Sequence, residues 1–337
     1  MSGKFKQVKW GILGAARIAD GTILPAIKAS AYCTAHAIAA RDLERASAMA
    51  ARHGIPAAYG SYDALITDPE VEAVYIALPN HLHMEWAKRA VVAGKHVLIE
   101  KPGAMTASEY DALSGAPASL RIAEAFMVRH QPRWQHLAGL LQSRKYGAPL
   151  TFSSLLSFNM TKADDFRQRP EWGGGAYFDL GCYTAMAARF VFDAEPLRAF
   201  ALMEKNSAGI DVFTSVILDF GAGRQATFMV SLAQASSQSI EIVCEKAFIS
   251  LPQAYVPSRT EVNTIVIDTS TDHARSEARS VEFPALDQYE AEVSNFSRAV
   301  RGEEVPFYGL DDARANAAVA DAVFTSSREQ RWVPVVR

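Results

Sequence analysis

Three consecutive glycines, Gly173, Gly174 and Gly175, open the segment GGGAYFDLGCY, and an acid and a phenol follow at Asp179 and Tyr183. Glycine loses more conformational freedom on folding than any other residue, so three in a row are costly to order. The segment is either a hinge or a glycine-opened helix that presents two functional groups. If 176–190 is helical, Asp179 and Tyr183 lie one turn apart on one face. A second candidate is Glu100-Lys101-Pro102, which closes the apolar run HVLIE. Proline biases Lys101 towards extended backbone. The lysine is then either held over a ligand cleft or tied to Glu100 in a strand-end salt bridge. The preceding strand ends at Leu78-Pro79-Asn80, and open α/β sheets bind ligands at the carboxyl ends of their strands. His81 and His83 follow, but no third ligand stands at a recognisable spacing. No metal is expected, and His83 is placed at a helix start near a cofactor.

The elements that must position these groups alternate in the first third of the chain. Strands are expected at 8–14, 33–40, 57–59, 71–79 and 96–100, and helices at 17–30, 42–54, 61–68 and 80–94. Asp42 and Ser61 are N-caps, and Gly54 and Gly94 close their helices. Strand–helix alternation predicts a parallel sheet covered on both faces. From about residue 125 the pattern changes. A helix at 133–144 precedes long strands at 150–159, 197–204, 211–220, 224–233, 239–245 and 262–269, and helices return at 286–302 and 311–327. Polar–apolar alternation in these strands predicts a mostly antiparallel sheet with one open face. A chain of 337 residues exceeds what one core usually serves. The expected fold is therefore α/β, with an N-terminal parallel-sheet domain over 1–124, which the glycine turn after its first strand marks as a dinucleotide-binding Rossmann domain, and a C-terminal α+β domain with a large, mostly antiparallel open sheet over 125–337.

The first strand runs into GILGAARIA. Read as G-x-G-x-x-G/A, it supplies Gly14, Ala16 and Ala19 for a tight turn, pyrophosphate approach and helix–strand packing. The helix N-terminus then offers free N–H groups to phosphates. Ala16 departs from the pattern, because its methyl narrows that approach. Arg17 and Ile18 share the turn. The second strand ends at Ala40-Arg41 with no carboxylate at Ala40 for a ribose hydroxyl, and an arginine there suits a 2′-phosphate. NADP is expected ahead of NAD.

Bulk properties exclude other classes. The net charge is −3 and the Lys/Arg residues are scattered, so no nucleic-acid partner is expected. Three separated cysteines make neither a disulfide framework nor a zinc pattern. With no long apolar run and no signal peptide at the start, a cytoplasmic protein with no membrane partner is expected.

Together, GILGAARIA, LPNHLHMEWAKRAVVAGKHVLIEKP, AEAFMVRHQPRW and GGGAYFDLGCY resemble the Gfo/Idh/MocA oxidoreductases over nearly the whole chain. The resemblance implies NAD(P)-dependent oxidation of a carbinol or its reverse, with Lys101 in the active site. Many members resemble Asp-x-x-x-His where this chain has Asp179 and Tyr183. Tyrosine there, with FRQRPEWGGG before it, is similar to the branch of glucose–fructose oxidoreductase, dimeric dihydrodiol dehydrogenases and NADP-dependent xylose dehydrogenases. That branch implies Phe166 and Arg167 near the nicotinamide, with Gly173–Gly175 bare to clear a ligand. Tyr183 is then the acid/base. A phenol titrates near 10 unperturbed, and the Lys101 cation would lower it. Asp179 orients a hydroxyl or tunes the lysine.

The resemblance assigns Gly14, Ala16, Arg17, Ile18, Ala40, Arg41, Leu78, Pro79, Asn80, His83, Glu100, Lys101, Arg129 and Arg167 to the cofactor. Asn159, Trp172 and Tyr289 go to the substrate. The expected substrate is an aldose or related cyclic polyol. The alternatives are trans-dihydrodiol oxidation, keto-sugar or dicarbonyl reduction, or a non-catalytic dinucleotide-binding regulator. The open sheet implies a homodimer or homotetramer.

Overall fold

The computed structural model describes residues 6–162, 164–272 and 274–336. The chain divides into two compact units. The first comprises the chain up to Ala104, Ser108–His130 and Asp287–Arg314, and the second Met105–Ala107, Gln131–Leu286 and the chain from Ala315.

The first unit holds six strands: β1 (Val8–Leu13), β2 (Cys33–Ala39), β3 (Ala57–Tyr59), β4 (Ala73–Ile76), β5 (His96–Ile99) and β6 (Ile122–Glu124). They form one parallel sheet in the order β3-β2-β1-β4-β5-β6, the doubly wound dinucleotide-binding order. Its helices are α1 (Leu24–Ala29), α2 (Leu43–His53), α3 (Tyr62–Ile66) and α4 (His83–Val92). A π-helical turn over Ala19–Ile23 leads into α1. The expected caps form. Asp42 accepts the N–H groups of Glu44 and Arg45, Ser61 accepts that of Ala64, and Gly54 takes a left-handed conformation. β6 was not foreseen.

In the second unit, α5 (Pro132–Gln142) and α6 (Cys182–Phe192) pack on a nine-stranded sheet. Its strands are β7 (Pro149–Asn159), β8 (Arg198–Lys205), β9 (Asp211–Asp219), β10 (Gln225–Ser231), β11 (Ala233–Cys244), β12 (Phe248–Pro252), β13 (Asn263–Asp268), β14 (Arg279–Phe283) and β15 (Val333–Pro334). The order is β14-β13-β12-β11-β7-β10-β9-β8-β15, antiparallel throughout except where β10 runs parallel to β7. One face is core: Phe152, Ala201, Val216, Phe228 and Ile240 are buried. β12, β14 and β15 were not foreseen.

After β14 come α7 (Gln288–Val300) and α8 (Leu310–Glu329). The sequence assigned all of 125–337 to the C-terminal part, whereas α7 belongs to the first unit. The reason is packing. Val293 and Phe296 join the core cluster of β1, and Trp10 donates its indole N–H to Ser297 Oγ at 3.1 Å. Periodicity marks a helix but does not name the sheet it covers.

Candidate functional site

In the first unit, β1 ends in a turn built around Gly14, whose φ is +106°. A Cβ there would collide with the Ala77 carbonyl oxygen and lie 3.0 Å from Leu78 Cδ2. The turn therefore sits against the end of β4, where the strand order reverses and such sheets bind dinucleotides. Helical backbone begins at residue 17, so a helix start, whose first N–H groups have no acceptor within the helix, stands beside the turn. Ala40 is buried and Arg41 exposed at the end of β2. Arg45, one turn further along α2, donates to the Ala15 carbonyl at 3.1 Å. Arg41 and Arg45 both act on Tyr62, opposing the burial that raises its phenol. The residues present fit a phosphate-bearing dinucleotide: a cradle closed to side chains, a helix start and two arginines.

Carboxyl groups and backbone hold the Lys101 loop. Glu100 accepts the Tyr75 hydroxyl on Oε1 and the Lys101 N–H on Oε2, the latter at 3.2 Å. His83 is fully buried, with Nδ1 at 2.7 Å from the Pro102 carbonyl and Nε2 at 2.7 Å from that of Leu78. Burial pushes this ring down to about 4, against the pull of both carbonyls. Expected near the cofactor, His83 is a strut between two strand-end loops. Glu124, at the end of β6, accepts the Gly103 N–H at 2.6 Å, and burial pushes its carboxyl up to about 7. Arg129 is 3% exposed, ion-paired with Asp312 and stacked over Tyr308 at 4.2 Å. Tyr289, expected with Asn159 and Trp172, lies in the first unit and packs against the same core cluster as Ala15, Ala16 and Ile18.

In the second unit, the glycines fold back on the chain before them. Gly174 and Gly175 donate their N–H groups to the carbonyls of Arg169 and Arg167, each at 3.0 Å. A Cβ on Gly174 would collide with the Arg167 carbonyl oxygen and lie 2.8 Å from that of Arg169. The close approaches that demand glycine here are thus to protein, where the sequence reading assigned the bareness to ligand clearance. A π-helical turn over Tyr177–Gly181 then leads into α6, so the segment is a glycine-opened helix. Asp179 accepts Arg167 Nε–H at 2.6 Å, and Asp165 accepts Arg167 Nη1–H at 3.1 Å. The Arg167 guanidinium also stacks on Phe166 at 4.6 Å. These two carboxylates hold it protonated well above the usual arginine range, although burial works the other way. Tyr183 is 7% exposed, its ring edge-on to Tyr255 with centroids 6.0 Å apart. Trp172 is half-buried under Arg169, and Asn159 is exposed at the end of β7.

The family described as "Oxidoreductase family, NAD-binding Rossmann fold" (GFO_IDH_MocA) matches residues 8–143, and the GFO/IDH/MocA C-terminal domain matches 134–250. The oxidoreductase ORF334 of Rhizobium meliloti is 38% identical over 97% of this chain and 99% of its own length. This chain belongs to the Gfo/Idh/MocA oxidoreductase family. The NADP-dependent D-xylose 1-dehydrogenase 2 of Haloferax volcanii is 34% identical, over 94% of this chain and 97% of its own. A 3-ketoreductase from Actinomadura kijaniata, crystallised with NADP and TDP-benzene, superposes with a TM-score of 0.87. It is 28% identical and covers 95% of this chain and 98% of its own.

Sequence reasoning about this oxidoreductase missed Arg45, Glu124 and Asp165. Arg45 had a signal, its spacing of four from Arg41 across the start of a helix. Asp165, two residues before Arg167, caps a short 3-10 turn by accepting the Arg167 N–H. Glu124 gave none, because its partner Gly103 is 21 residues away. Among the described residues, no group of three or more His, Cys, Asp or Glu could hold a metal ion, and no helix is long and apolar enough to cross a membrane.

Proposed function

We propose that this Gfo/Idh/MocA oxidoreductase is an NADP-dependent dehydrogenase acting on a carbinol of an aldose or related cyclic polyol. The observation that carries the reading is the helix opened by the glycines. It holds Asp179 in an ion pair with Arg167 and sets Tyr183 on the next turn. The NADP-dependent xylose dehydrogenase relative supports the substrate class and the cofactor. Arg41, just after β2, and Arg45, in the first turn of α2, support a 2′-phosphate over a bare ribose.

When bound, the nicotinamide supplies the acceptor or donor of a hydride. Oxidising a carbinol also releases its hydroxyl proton, and Tyr183 takes that proton at Oη, returning it in the reverse direction. The family resemblance assigns to Lys101 the positive charge that favours a phenolate. Its loop is fixed by Glu100, Glu124 and His83 through backbone groups. Asp179 holds the Arg167 guanidinium in place.

The A. kijaniata ketoreductase favours a second reading, reduction of a keto sugar by the same groups; a trans-dihydrodiol is the third. A screen of NADP⁺ and NAD⁺ reduction against aldoses, inositols and dihydrodiols, with NADPH oxidation against keto sugars, separates them. Turnover of an aldose with NADP⁺ supports the proposal. NADPH binding seen by fluorescence with no turnover across the panel overturns it in favour of a dinucleotide-binding regulator.

The exposed face of the large sheet supports a homo-oligomer. A depression of about 490 Å³ is lined by Leu155, Phe200, Leu202, Ile217 and Met229, interspersed with serines, Thr227 and Glu241. Leu202, Ile217 and Met229 are 57%, 36% and 41% exposed. An exposed apolar cluster of this kind marks an interaction site, and a second copy covers it.

A further inference from the structure

The helix that carries Asp179 and Tyr183 has no cap of its own. Ala176 stands at its N-cap in helical conformation, with no side-chain hydrogen bond. The missing acceptor comes from β9. Asp211, the first residue of that strand, is 3% exposed, and its Oδ2 accepts the Tyr177 N–H at 2.7 Å. The same oxygen accepts the hydroxyl of fully buried Thr214 at 2.8 Å. Oδ1 lies where a Cβ on Gly175 would be. Glycine at 175 therefore gives a carboxylate 36 residues away access to the helix start. A negative charge at a helix N-terminus is favourable, yet burying a carboxylate is costly. Burial pushes Asp211 up to about 6. A neutral serine or asparagine caps at lower desolvation cost, so a buried acid drawn from another element marks a place where helix position matters.

We propose that Asp211 is a positioning residue of the reaction: it fixes the first turn of the helix from which Asp179 reaches Arg167 and Tyr183 reaches substrate. The proposal rests on the reading that Tyr183 moves the proton. Displacing a reacting group by about 1 Å can cost about 100-fold in rate.

The test compares full-length wild type, Asp211→Ala, Asp211→Asn, Thr214→Val and Tyr183→Phe on the substrate the screen identifies. Each is assayed well below its own melting temperature, with NADPH affinity measured by fluorescence. Asp211→Ala is expected to lower kcat by about 10- to 100-fold while NADPH affinity stays within about twofold of wild type. Asp211→Asn, which keeps an acceptor for the Tyr177 N–H, recovers most of that loss. Thr214→Val, which only frees the carboxylate, lowers kcat by a smaller factor and carries the test if Asp211→Ala does not fold. Wild-type kcat in a folded Asp211→Ala overturns the proposal, and so does wild-type kcat in Thr214→Val if Asp211→Ala does not fold. A loss in Asp211→Asn equal to that in Asp211→Ala overturns it too. Full turnover in Tyr183→Phe overturns the underlying reading instead, so the two failures are distinct.

Discussion

At the residue scale, the chemistry rests on a few groups whose surroundings are set by hydrogen bonds. Positioned acid–base groups contribute about 10²–10⁴-fold. Tyr183→Phe should therefore lower kcat by a factor in that range with the KM for NADP unchanged, as steady-state kinetics would show. Arg45→Ala should raise the KM for NADP by about 10- to 100-fold and leave that for NAD nearly unchanged, because a charge-assisted hydrogen bond contributes about 1.5–3 kcal/mol. Equal effects on both cofactors would remove Arg45 from the 2′-phosphate.

Glu124 makes stability depend on pH. Burial raises its folded value from 4.5 to about 7. Between those values the folded protein binds more protons than the unfolded chain, so stability falls as pH rises through this window. Glu292, 1% exposed, acts with the same sign, since burial and then Glu100 raise its carboxyl well above the usual range. The Glu124 contribution is about 3 kcal/mol. Thermal melts should show lower stability at pH 8 than at pH 5, and Glu124→Gln, which keeps an acceptor for Gly103, should reduce that difference.

At the element scale, the glycine run shows how much of the site was legible. The short sequence distance between the glycines, Asp179 and Tyr183 identified a glycine-opened helix, because local backbone freedom and helical spacing are readable in one segment. What surrounds the glycines was not readable. The carbonyls of Arg167 and Arg169 sit where a Gly174 side chain would go. Gly174→Ala should thus destabilise the protein by about 1–3 kcal/mol. Gly139, exposed in α5 with open space where a Cβ would stand, is the opposite case. Gly139→Ala should stabilise by about 0.5–1 kcal/mol. Paired thermal or urea melts test both signs at once.

At the scale of the whole molecule, the open face of the nine-stranded sheet carries the expectation of assembly. Leu202, Ile217 and Met229 come from β8, β9 and β10, which are adjacent in the sheet. Light scattering at micromolar concentration should give a dimer or tetramer, and Ile217→Lys with Met229→Lys should give a monomer. A monomeric wild type would rule the surface out as a subunit contact.

The sequence by itself determined the parallel α/β unit, the antiparallel sheet, the glycine turn at Gly14 and the helical spacing of Asp179 and Tyr183. Each of these is written in local periods or short spacings, where backbone geometry translates directly into residue pattern. Only the tertiary structure decided that α7 belongs with the first sheet, that Arg129 pairs with Asp312 and His83 sits between two backbone carbonyls, and that Asp211 caps the helix of Tyr183. Those outcomes depend on which distant segments meet. A buried polar group takes whatever partner the fold brings within hydrogen-bond reach, and no local spacing records that.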